Sequence, residues 1–173
     1  MKSELGFIGL GLMGAPMAAR LLKAGYPLYV HNRTKEKAKP LLGLGAKWCD
    51  SPKNVAERSE IVFTMVSDPA ALQSVTLGER GTIAGIREKS IHIDTSTVSP
   101  KITGQLEQEY RQKGAHFLHS PVLGSIPQAT DGTLLLFVGG LRAAFERSEP
   151  VLKKFGSKIW HFESVQQATH TKL

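Results

Sequence analysis

The sequence has 173 residues, enough for a single domain with a sizeable core, and its 22 Lys and Arg residues outnumber its 15 Asp and Glu residues. The basic residues are scattered and not gathered into a stripe with aromatic residues, so we expect small anionic molecules as partners and no nucleic acid. No apolar run reaches the roughly 18 residues that span a membrane, and the amino terminus has no recognisable leader, so we expect a cytoplasmic protein without a membrane anchor. The only cysteine, Cys49, is expected to be a buried thiol. A single cysteine predicts neither an internal disulfide nor a metal cluster.

A glycine-rich turn follows the first predicted strand. The apolar run 5–8 predicts that strand, and Gly9, Gly11 and Gly14 precede a helical pattern that continues to Leu22. This spacing between a strand and a helix is typical of a dinucleotide-binding turn, in which Gly9 permits the tight turn, Gly11 the approach of a pyrophosphate and Gly14 close helix packing. A turn that only packs a strand on a helix is the alternative. The predicted cofactor contacts are Gly9, Leu10, Gly11, Leu12, Met13 and Gly14.

The second predicted strand, 27–31, is followed by Asn32, Arg33 and Thr34. An NAD-binding unit has an Asp or Glu near this point to bind the ribose hydroxyls, whereas an Arg accommodates the 2′-phosphate of NADP. This sequence has no acid at the strand end, and Arg33 offers a planar fork suited to phosphate. We therefore predict NADP in preference to NAD, with Asn32, Arg33 and Thr34 as contacts. A solvated helix start at these residues is the alternative.

Predicted strands and helices alternate along the remaining sequence. Strands are predicted over 46–48, 61–66, 90–94, 115–118, 133–138 and 158–162, and helices over 35–44, 52–58, 70–77, 99–113 and 141–155, with a further helix beginning near the end. Segment 78–85 is expected to be a glycine-punctuated loop. The run 61–66 is apolar, as in a parallel strand that is buried on both faces. The alternation predicts an α/β fold with a doubly wound, mostly parallel sheet of the Rossmann type.

Polar residues follow two of the predicted parallel strands. Ligands of such sheets bind beyond the carboxyl ends of the strands, so Val66, Ser67 and Asp68 are predicted to line the cofactor cleft. Asp68 also suits the cap of the helix 70–77, which does not exclude a contact with the cofactor. Segment 94–100 carries an Asp and several hydroxyl groups. These groups suit either the cap of the helix 99–113 or a small polar substrate, and both alternatives stay open.

Several separate stretches resemble one enzyme family. They are GFIGLGLMGAPMAARLLKAG near the amino terminus, HNRT after the second strand, DTSTVSP at 94–100, SPVLGS at 120–125 and ATHTKL at the end. The sequence thus resembles the β-hydroxyacid dehydrogenases, which include 3-hydroxyisobutyrate dehydrogenase, tartronate semialdehyde reductase and glyoxylate/succinic semialdehyde reductases, over essentially its whole length. The resemblance implies an NADP-binding Rossmann domain over 1–165 and the start of an interdomain helix over 166–173. Complete members continue into an all-helical dimerisation domain that is absent from this sequence.

The resemblance also implies roles for particular residues. Lys172 corresponds to the family lysine that acts as general acid and base in hydride transfer, and a solvated lysine is the alternative. In the family, the substrate carboxylate is held by a serine that corresponds to Ser96 and by the Ser-Gly-Gly of a Pro-Val-Ser-Gly-Gly turn. Here that turn has Leu123 and Gly124, so a hydroxyl is lost and a backbone N–H remains as a substrate contact. Thr97 is predicted to contact the cofactor.

Other departures from the family limit what the resemblance implies. The glycine-rich approach to the lysine is replaced by the residues at 166–171, and the family asparagine, four residues after Lys172, has no counterpart in the sequence. We therefore expect cofactor binding without efficient turnover by this chain alone, and a homo-oligomer for the full-length family form. His119 and His170 are expected to pack in the core or on the surface. The alternatives to a dehydrogenase that acts on a small hydroxy acid or semialdehyde are an imine reductase-like enzyme and a non-catalytic NADP-binding module or sensor.

Overall fold

A computed structural model describes residues 1–172, which form a nine-stranded sheet with helices packed on both faces. The strands are β1 (Leu5–Ile8), β2 (Leu28–His31), β3 (Lys47–Trp48), β4 (Ile61–Thr64), β5 (Ile91–Asp94), β6 (His116–His119), β7 (Val122–Leu123), β8 (Leu134–Gly139) and β9 (Gly156–Phe162). The helices are α1 (Gly14–Lys23), α2 (Lys39–Gly43), α3 (Pro52–Arg58), α4 (Pro69–Thr76), α5 (Thr82–Gly85), α6 (Pro100–Gln112), α7 (Ile126–Asp131), α8 (Arg142–Leu152) and α9 (Val165–Lys172). The last residue of the predicted segment 166–173 lies outside the described residues.

The first six strands are parallel and lie in the order β3-β2-β1-β4-β5-β6. In open sheets of this order, dinucleotides bind where the strand order reverses, which here is between β1 and β4. The last three strands are arranged differently. Strand β8 is antiparallel to both β6 and β7, whereas β9 is parallel to β8. The prediction of a Rossmann-type, mostly parallel sheet is confirmed.

Side chains and helices pack closely on both faces of the sheet and hold β1, β4 and β5 in fixed positions. On one face, the rings of Phe7 and Phe63 stack with centroids 5.9 Å apart, and Phe155 meets Phe63 edge-on at 5.4 Å. On the other face, a Cβ at Gly6 would lie 2.4 Å from Val55 Cγ1 in α3, so glycine permits the close approach of this helix. Burial of each large apolar side chain contributes about 1.5–3 kcal/mol. The carboxyl ends of β1, β4 and β5 therefore form one rigid edge.

Some predicted elements differ from the observed ones. The predicted helix 35–44 is divided into a 3₁₀ helix, Lys35–Ala38, and α2, because Pro40 lacks an N–H and lies in the first turn of a helix. The predicted loop 78–85 contains α5, and the segment 122–131, for which no element was predicted, forms β7 and α7. These short elements depend on packing with the rest of the chain, which local sequence patterns do not report.

Candidate dinucleotide and substrate site

Two of the three glycines in the turn between β1 and α1 are required by backbone contacts. Gly9 has a φ of +96°, and a Cβ there would lie 2.1 Å from Met65 O. A Cβ at Gly14 would lie 1.9 Å from Gly9 O. Gly11 differs, because a Cβ there would have no heavy atom of the described residues within 4 Å, apart from its chain neighbours. Gly9 and Gly14 are thus needed for the fold, whereas Gly11 leaves the backbone open to a ligand.

The turn leads directly into α1. This helix begins after Met13, and no side chain within residues 1–172 caps it. Uncapped N–H groups and the positive end of the helix dipole favour an anion such as a pyrophosphate. Leu10 is buried in the turn and Leu12 is 78% exposed beside it. An open backbone at Gly11, next to uncapped N–H groups, fits a bound dinucleotide.

Asn32 connects the glycine turn to the end of β2. Its Oδ1 accepts a hydrogen bond from Leu10 N at 2.9 Å, and its Nδ2 donates to Thr34 O at 2.9 Å. Arg33 and Thr34 are exposed. The three predicted contacts therefore lie together, with the Asn32 amide fixing the backbone and the Arg33 guanidinium open to solvent.

Asp68 caps α4 just beyond the end of β4. Its carboxylate accepts hydrogen bonds from Ala71 N at 2.8 Å and from the Ser67 hydroxyl at 3.1 Å. These hydrogen bonds, with a smaller contribution from the Arg33 charge, hold the pKa of Asp68 below its ordinary value. The hydrogen bond from Ala71 N fixes the segment after β4 at the start of α4. The cap that the sequence offered as an alternative is present.

The hydroxyl of Ser96 is buried between the loops that follow β4 and β5. It accepts a hydrogen bond from Val66 N at 2.9 Å and donates to Asp94 Oδ1 at 2.8 Å. The same carboxylate oxygen accepts from Thr64 Oγ1 at 2.7 Å. Ser99 is the N-cap residue of α6, and among the described residues no side-chain hydrogen bond caps this helix. The buried Asp94 carboxylate therefore binds together the two loops, which neither of the alternatives from the sequence anticipated.

Lys172 lies at the end of α9, next to the loop after β5. Its Nζ donates a hydrogen bond to Thr97 Oγ1 at 2.7 Å. The side chain is half-buried, and burial holds the pKa of the amine below its ordinary value. A lowered pKa brings an amine closer to the range in which it both takes and gives a proton near neutral pH. Lys172 and Thr97, which the sequence assigned to the acid/base step and to the cofactor, are thus in contact.

His119, at the end of β6, bonds to the same group of residues. Its Nε2 lies 3.0 Å from Ser96 O and 3.4 Å from Asp94 Oδ2, and its Nδ1 lies 2.7 Å from Thr169 Oγ1. Burial lowers the pKa of His119, against the opposing effect of Asp94, and burial raises the pKa of Asp94. Sequence reasoning expected only packing for this histidine. The signal for more was that Asp94 and His119 come at the ends of consecutive predicted strands.

Leu123 and Gly124 lie where the chain leaves β7. Leu123 is 50% exposed. Gly124 has a φ of +138°, and a Cβ there would lie 2.8 Å from Leu134 Cδ2. No hydrogen bond among residues 1–172 joins either residue to Ser96 or Lys172. In the described residues, Lys172 and Thr97 are joined by a hydrogen bond, Ser96 is the neighbour of Thr97, and Leu123 and Gly124 have no direct hydrogen bond to Ser96 or Lys172.

A family model described as the NAD binding domain of 6-phosphogluconate dehydrogenase matches residues 4–163. The chain belongs to this family. It is also 37% identical over 170 residues to glyoxylate/succinic semialdehyde reductase 2, chloroplastic, of Arabidopsis thaliana, covering 98% of this chain and 48% of that protein. The family model and this reductase together confirm the resemblance to the β-hydroxyacid dehydrogenases. The chain is an NAD(P)-binding domain of the family that the model describes.

Solved structures of relatives share the fold of this family member. The 3-hydroxyisobutyrate dehydrogenase of Mycobacterium tuberculosis with L-serine has a TM-score of 0.92 and 27% identity, with 99% of this chain and 58% of that chain covered. The imine reductase of Myxococcus stipitatus with NADP+ has a TM-score of 0.88 and 26% identity, with 98% of this chain and 58% of that chain covered. A variant of the latter holds NAD+ and has a TM-score of 0.91 and 25% identity, with 99% and 58% covered. The chain spans about half the length of the relatives that it matches.

The helices of this NAD(P)-binding domain are short. The helix α6 has 13 residues, and no helix within residues 1–172 is long and apolar enough to cross a membrane. In the same residues, no three His, Cys, Asp or Glu side chains are grouped as metal ligands.

Proposed function

We propose that the chain is the cofactor-binding part of an NADP-dependent oxidoreductase that transfers hydride between NADP(H) and a small hydroxy acid or semialdehyde. The observation that carries the proposal is the half-buried Lys172 amine, which bonds to Thr97 beyond the carboxyl end of β5. Bound NADPH would supply the hydride. The Arabidopsis relative is named a glyoxylate/succinic semialdehyde reductase and the mycobacterial one a 3-hydroxyisobutyrate dehydrogenase, and both names fit this class of reaction.

Lys172 is the proposed general acid and base. In oxidation, its amine takes the hydroxyl proton of the substrate as hydride leaves the adjoining carbon. In reduction, its ammonium gives a proton to the forming alkoxide and stabilises the negative charge that develops there. Burial lowers the pKa of the Lys172 amine from its ordinary value, which favours proton transfer in both directions. Ser96 and Gly124 are the proposed contacts of the substrate carboxylate, and a contact with Ser96 requires its hydroxyl to turn from Asp94 Oδ1 towards the substrate. Leu123 replaces the family serine with an apolar side chain.

NADP is the proposed cofactor in preference to NAD. Residues 31–35 contain no acid, and Arg33 is exposed beside the glycine turn. A guanidinium binds a phosphate through two parallel hydrogen bonds, which suits the 2′-phosphate of NADP. Val66, Ser67, Asp68 and Thr97 are proposed to complete the cofactor cleft.

A titration followed by nicotinamide fluorescence tests this preference. With Arg33→Ala, we expect the Kd for NADPH to rise by about tenfold or more, because a charge-assisted hydrogen bond contributes about 1.5–3 kcal/mol. The Kd for NADH should change by less than about twofold. Arg111→Ala is the matched control, since Arg111 is an exposed arginine at the end of α6. Equal losses for NADPH and NADH would contradict the assignment.

The role of Lys172 is tested by the consumption of NADPH with glyoxylate and with succinic semialdehyde. The expected rate is low, because the relatives carry further chain that the alignment does not cover. Lys172→Ala should lower it by about 100-fold or more, the usual contribution of a general acid. Lys158→Ala, which removes an exposed lysine of β9, is the control. A rate unchanged by Lys172→Ala would refute the acid/base role.

The likeness to the imine reductase of Myxococcus stipitatus favours a second candidate, the reduction of an imine. An alkoxide forms in carbonyl reduction, and the Lys172 ammonium suits its protonation, so Lys172 favours that reaction. An imine such as 1-pyrroline, consumed faster than succinic semialdehyde and equally fast by Lys172→Ala, would favour the second candidate. Binding of NADPH without consumption of either substrate would favour a non-catalytic module.

Three further statements belong to the same proposal. They are a cytoplasmic location, a homo-oligomeric full-length form, and a division of the chain into a domain over 1–165 and the start of an interdomain helix over 166–173. Light scattering after size-exclusion chromatography of the full-length form tests the second of them.

A further inference from the structure

Asp94 and His119 occupy paired positions at the ends of β5 and β6. They are opposite each other in the parallel register, and both side chains are fully buried. Asp94 Oδ1 accepts hydrogen bonds from Thr64 and Ser96. In the described residues, Oδ2 has no hydrogen-bond partner, and it faces His119 Nε2 at 3.4 Å. A carboxylate oxygen in this position favours a hydrogen on the facing ring nitrogen.

The ring of His119 bridges a loop and a helix. Its Nε2 lies 3.0 Å from Ser96 O, which only accepts hydrogen bonds, so Nε2 carries the hydrogen. Nδ1 of the neutral ring then accepts, and it lies 2.7 Å from Thr169 Oγ1 in α9. Burial lowers the pKa of His119, which keeps the ring neutral at neutral pH. His119 therefore connects the loop after β5 with α9.

Thr169 comes one helical turn before Lys172, so the two side chains project from the same side of α9. Thr169 is buried, and Lys172 is half-buried with its Nζ bonded to Thr97. Two hydrogen-bonded connections thus join α9 to the loop, one through His119 in the interior and one from Lys172 near the surface. Water competes for the second and not for the first. The interior connection therefore holds the end of α9 against the loop more firmly than the surface connection does.

We propose that His119 is a positioning residue, which holds α9, and through it the Lys172 amine, against the loop that carries Ser96 and Thr97. The inference rests on the proposed function, because the position of the amine affects turnover only if Lys172 takes part in it. A displacement of about 1 Å in a catalytic site costs about 100-fold in rate. Loss of the connection is therefore expected to lower kcat by about tenfold or more, with KM changed by less than about twofold.

The decisive variants are Thr169→Val, which keeps the shape and removes the hydroxyl, and Thr169→Ser, which keeps the hydroxyl. Thr76→Val is the matched control. Thr76, in α4, is also a buried helical threonine, and its hydroxyl donates to the carbonyl four residues earlier. The Thr169 hydroxyl lies 2.9 Å from the corresponding carbonyl, Val165 O, but its one hydrogen goes to His119 Nδ1. The readout is the titration of the Lys172 amine by NMR of a chain with isotope-labelled lysine, assigned with Lys172→Ala.

In Thr169→Val, we expect the pKa of Lys172 to rise towards its ordinary value, because the end of α9 moves from the loop and the amine becomes hydrated. Thr169→Ser and Thr76→Val should titrate like the unchanged chain, with NADPH affinities within about twofold. An unchanged titration in folded Thr169→Val overturns the proposal. If Thr169→Val does not fold, His119→Gln decides in the same way, since its amide nitrogen takes the place of Nε2 and no atom takes the place of Nδ1 at Thr169.

Turnover separates this inference from the proposed function. If Lys172→Ala keeps full activity, the acid/base role is wrong, and the Lys172 titration still decides whether His119 positions α9. If Lys172→Ala is inactive, a lowered kcat in Thr169→Val that Thr169→Ser restores supports both. A shifted titration with unchanged kcat overturns the catalytic part of the inference.

Discussion

Gly11 and Gly14 differ in the space around them, and this difference separates cofactor binding from folding. A Cβ at Gly14 would lie 1.9 Å from Gly9 O and 3.2 Å from Phe7 Cε1, so Gly14→Ala must move α1 away from β1. Overpacking costs about 1–3 kcal/mol, and we expect at least about 2 kcal/mol because the nearest atom belongs to the backbone. With a urea dependence of about 2 kcal/mol per molar, the midpoint of urea unfolding falls by about 1 M.

Gly11→Ala is expected to do the opposite. Gly11 has no positive φ, and no atom of the described chain beyond its neighbours lies within 4 Å of the added Cβ. The alanine therefore fits, and it stabilises the fold by about 0.4–1 kcal/mol because the unfolded chain loses entropy. Its methyl group, however, occupies the space through which a pyrophosphate approaches the backbone. We expect the Kd for NADPH to rise by about tenfold or more, which corresponds to about 1.4 kcal/mol.

Two measurements on each variant decide the matter: urea unfolding by tryptophan fluorescence and NADPH titration by nicotinamide fluorescence. NADPH binding by Gly11→Ala that equals that of the unchanged chain would mean that the phosphates do not approach this turn. An unchanged urea midpoint for Gly14→Ala would mean that α1 has room to move, and the argument from close approach would fail.

Two further predictions concern buried titratable groups. Burial lowers the pKa of His92 to about 3. The unfolded state binds a proton at His92 near pH 6.5, and the folded state does so only near pH 3. The contribution of His92 to the free energy of unfolding is therefore complete above about pH 6.5 and falls by about 1.4 kcal/mol per pH unit towards pH 3. Urea unfolding at pH 7 and pH 5 measures this, and equal unfolding free energies would contradict it. Burial also raises the pKa of the Cys49 thiol, so we expect slow reaction with a thiol reagent at pH 8 and fast reaction in urea; fast labelling of the folded chain would contradict the buried position.

Local patterns predicted the elements that local chemistry determines. The helix Pro52–Arg58 was predicted with its bounds, because Ser51 and Pro52 mark its start, and Ser51 Oγ does accept a hydrogen bond from Asn54 N at 3.1 Å. The helix α5 was missed, since its four residues are too few to show helical periodicity. Its place is set by packing on α3, where a Cβ at Gly85 would lie 2.3 Å from Lys53 O.

The candidate site divides in the same way. The pattern of strands located Asp94 and Ser96 near one edge of the sheet, because carboxyl ends of parallel strands meet there, and the family resemblance supplied Lys172. It did not pair Asp94 with His119, which needs the register of β5 and β6, nor His119 with Thr169, which lies 50 residues further along the chain. Such contacts depend on how strands and helices pack over long separations, and the order of residue types carries little information on that.

The Asp94 carboxylate connects these long-range contacts, and Asp94→Asn shows how. Oδ1 already accepts two hydroxyl hydrogens, from Thr64 and Ser96, so the amide nitrogen of the new side chain must take the place of Oδ2. Two N–H donors then face each other, and the ring of His119 moves its hydrogen to Nδ1 and loses the hydrogen bond to Ser96 O. We expect the nitrogen chemical shifts of His119 to report the other tautomer, while those of His161, which bonds to a backbone carbonyl elsewhere, stay unchanged. An unchanged tautomer at His119 would mean that the Ser96 carbonyl orients the ring alone and that the carboxylate acts only on the two hydroxyls.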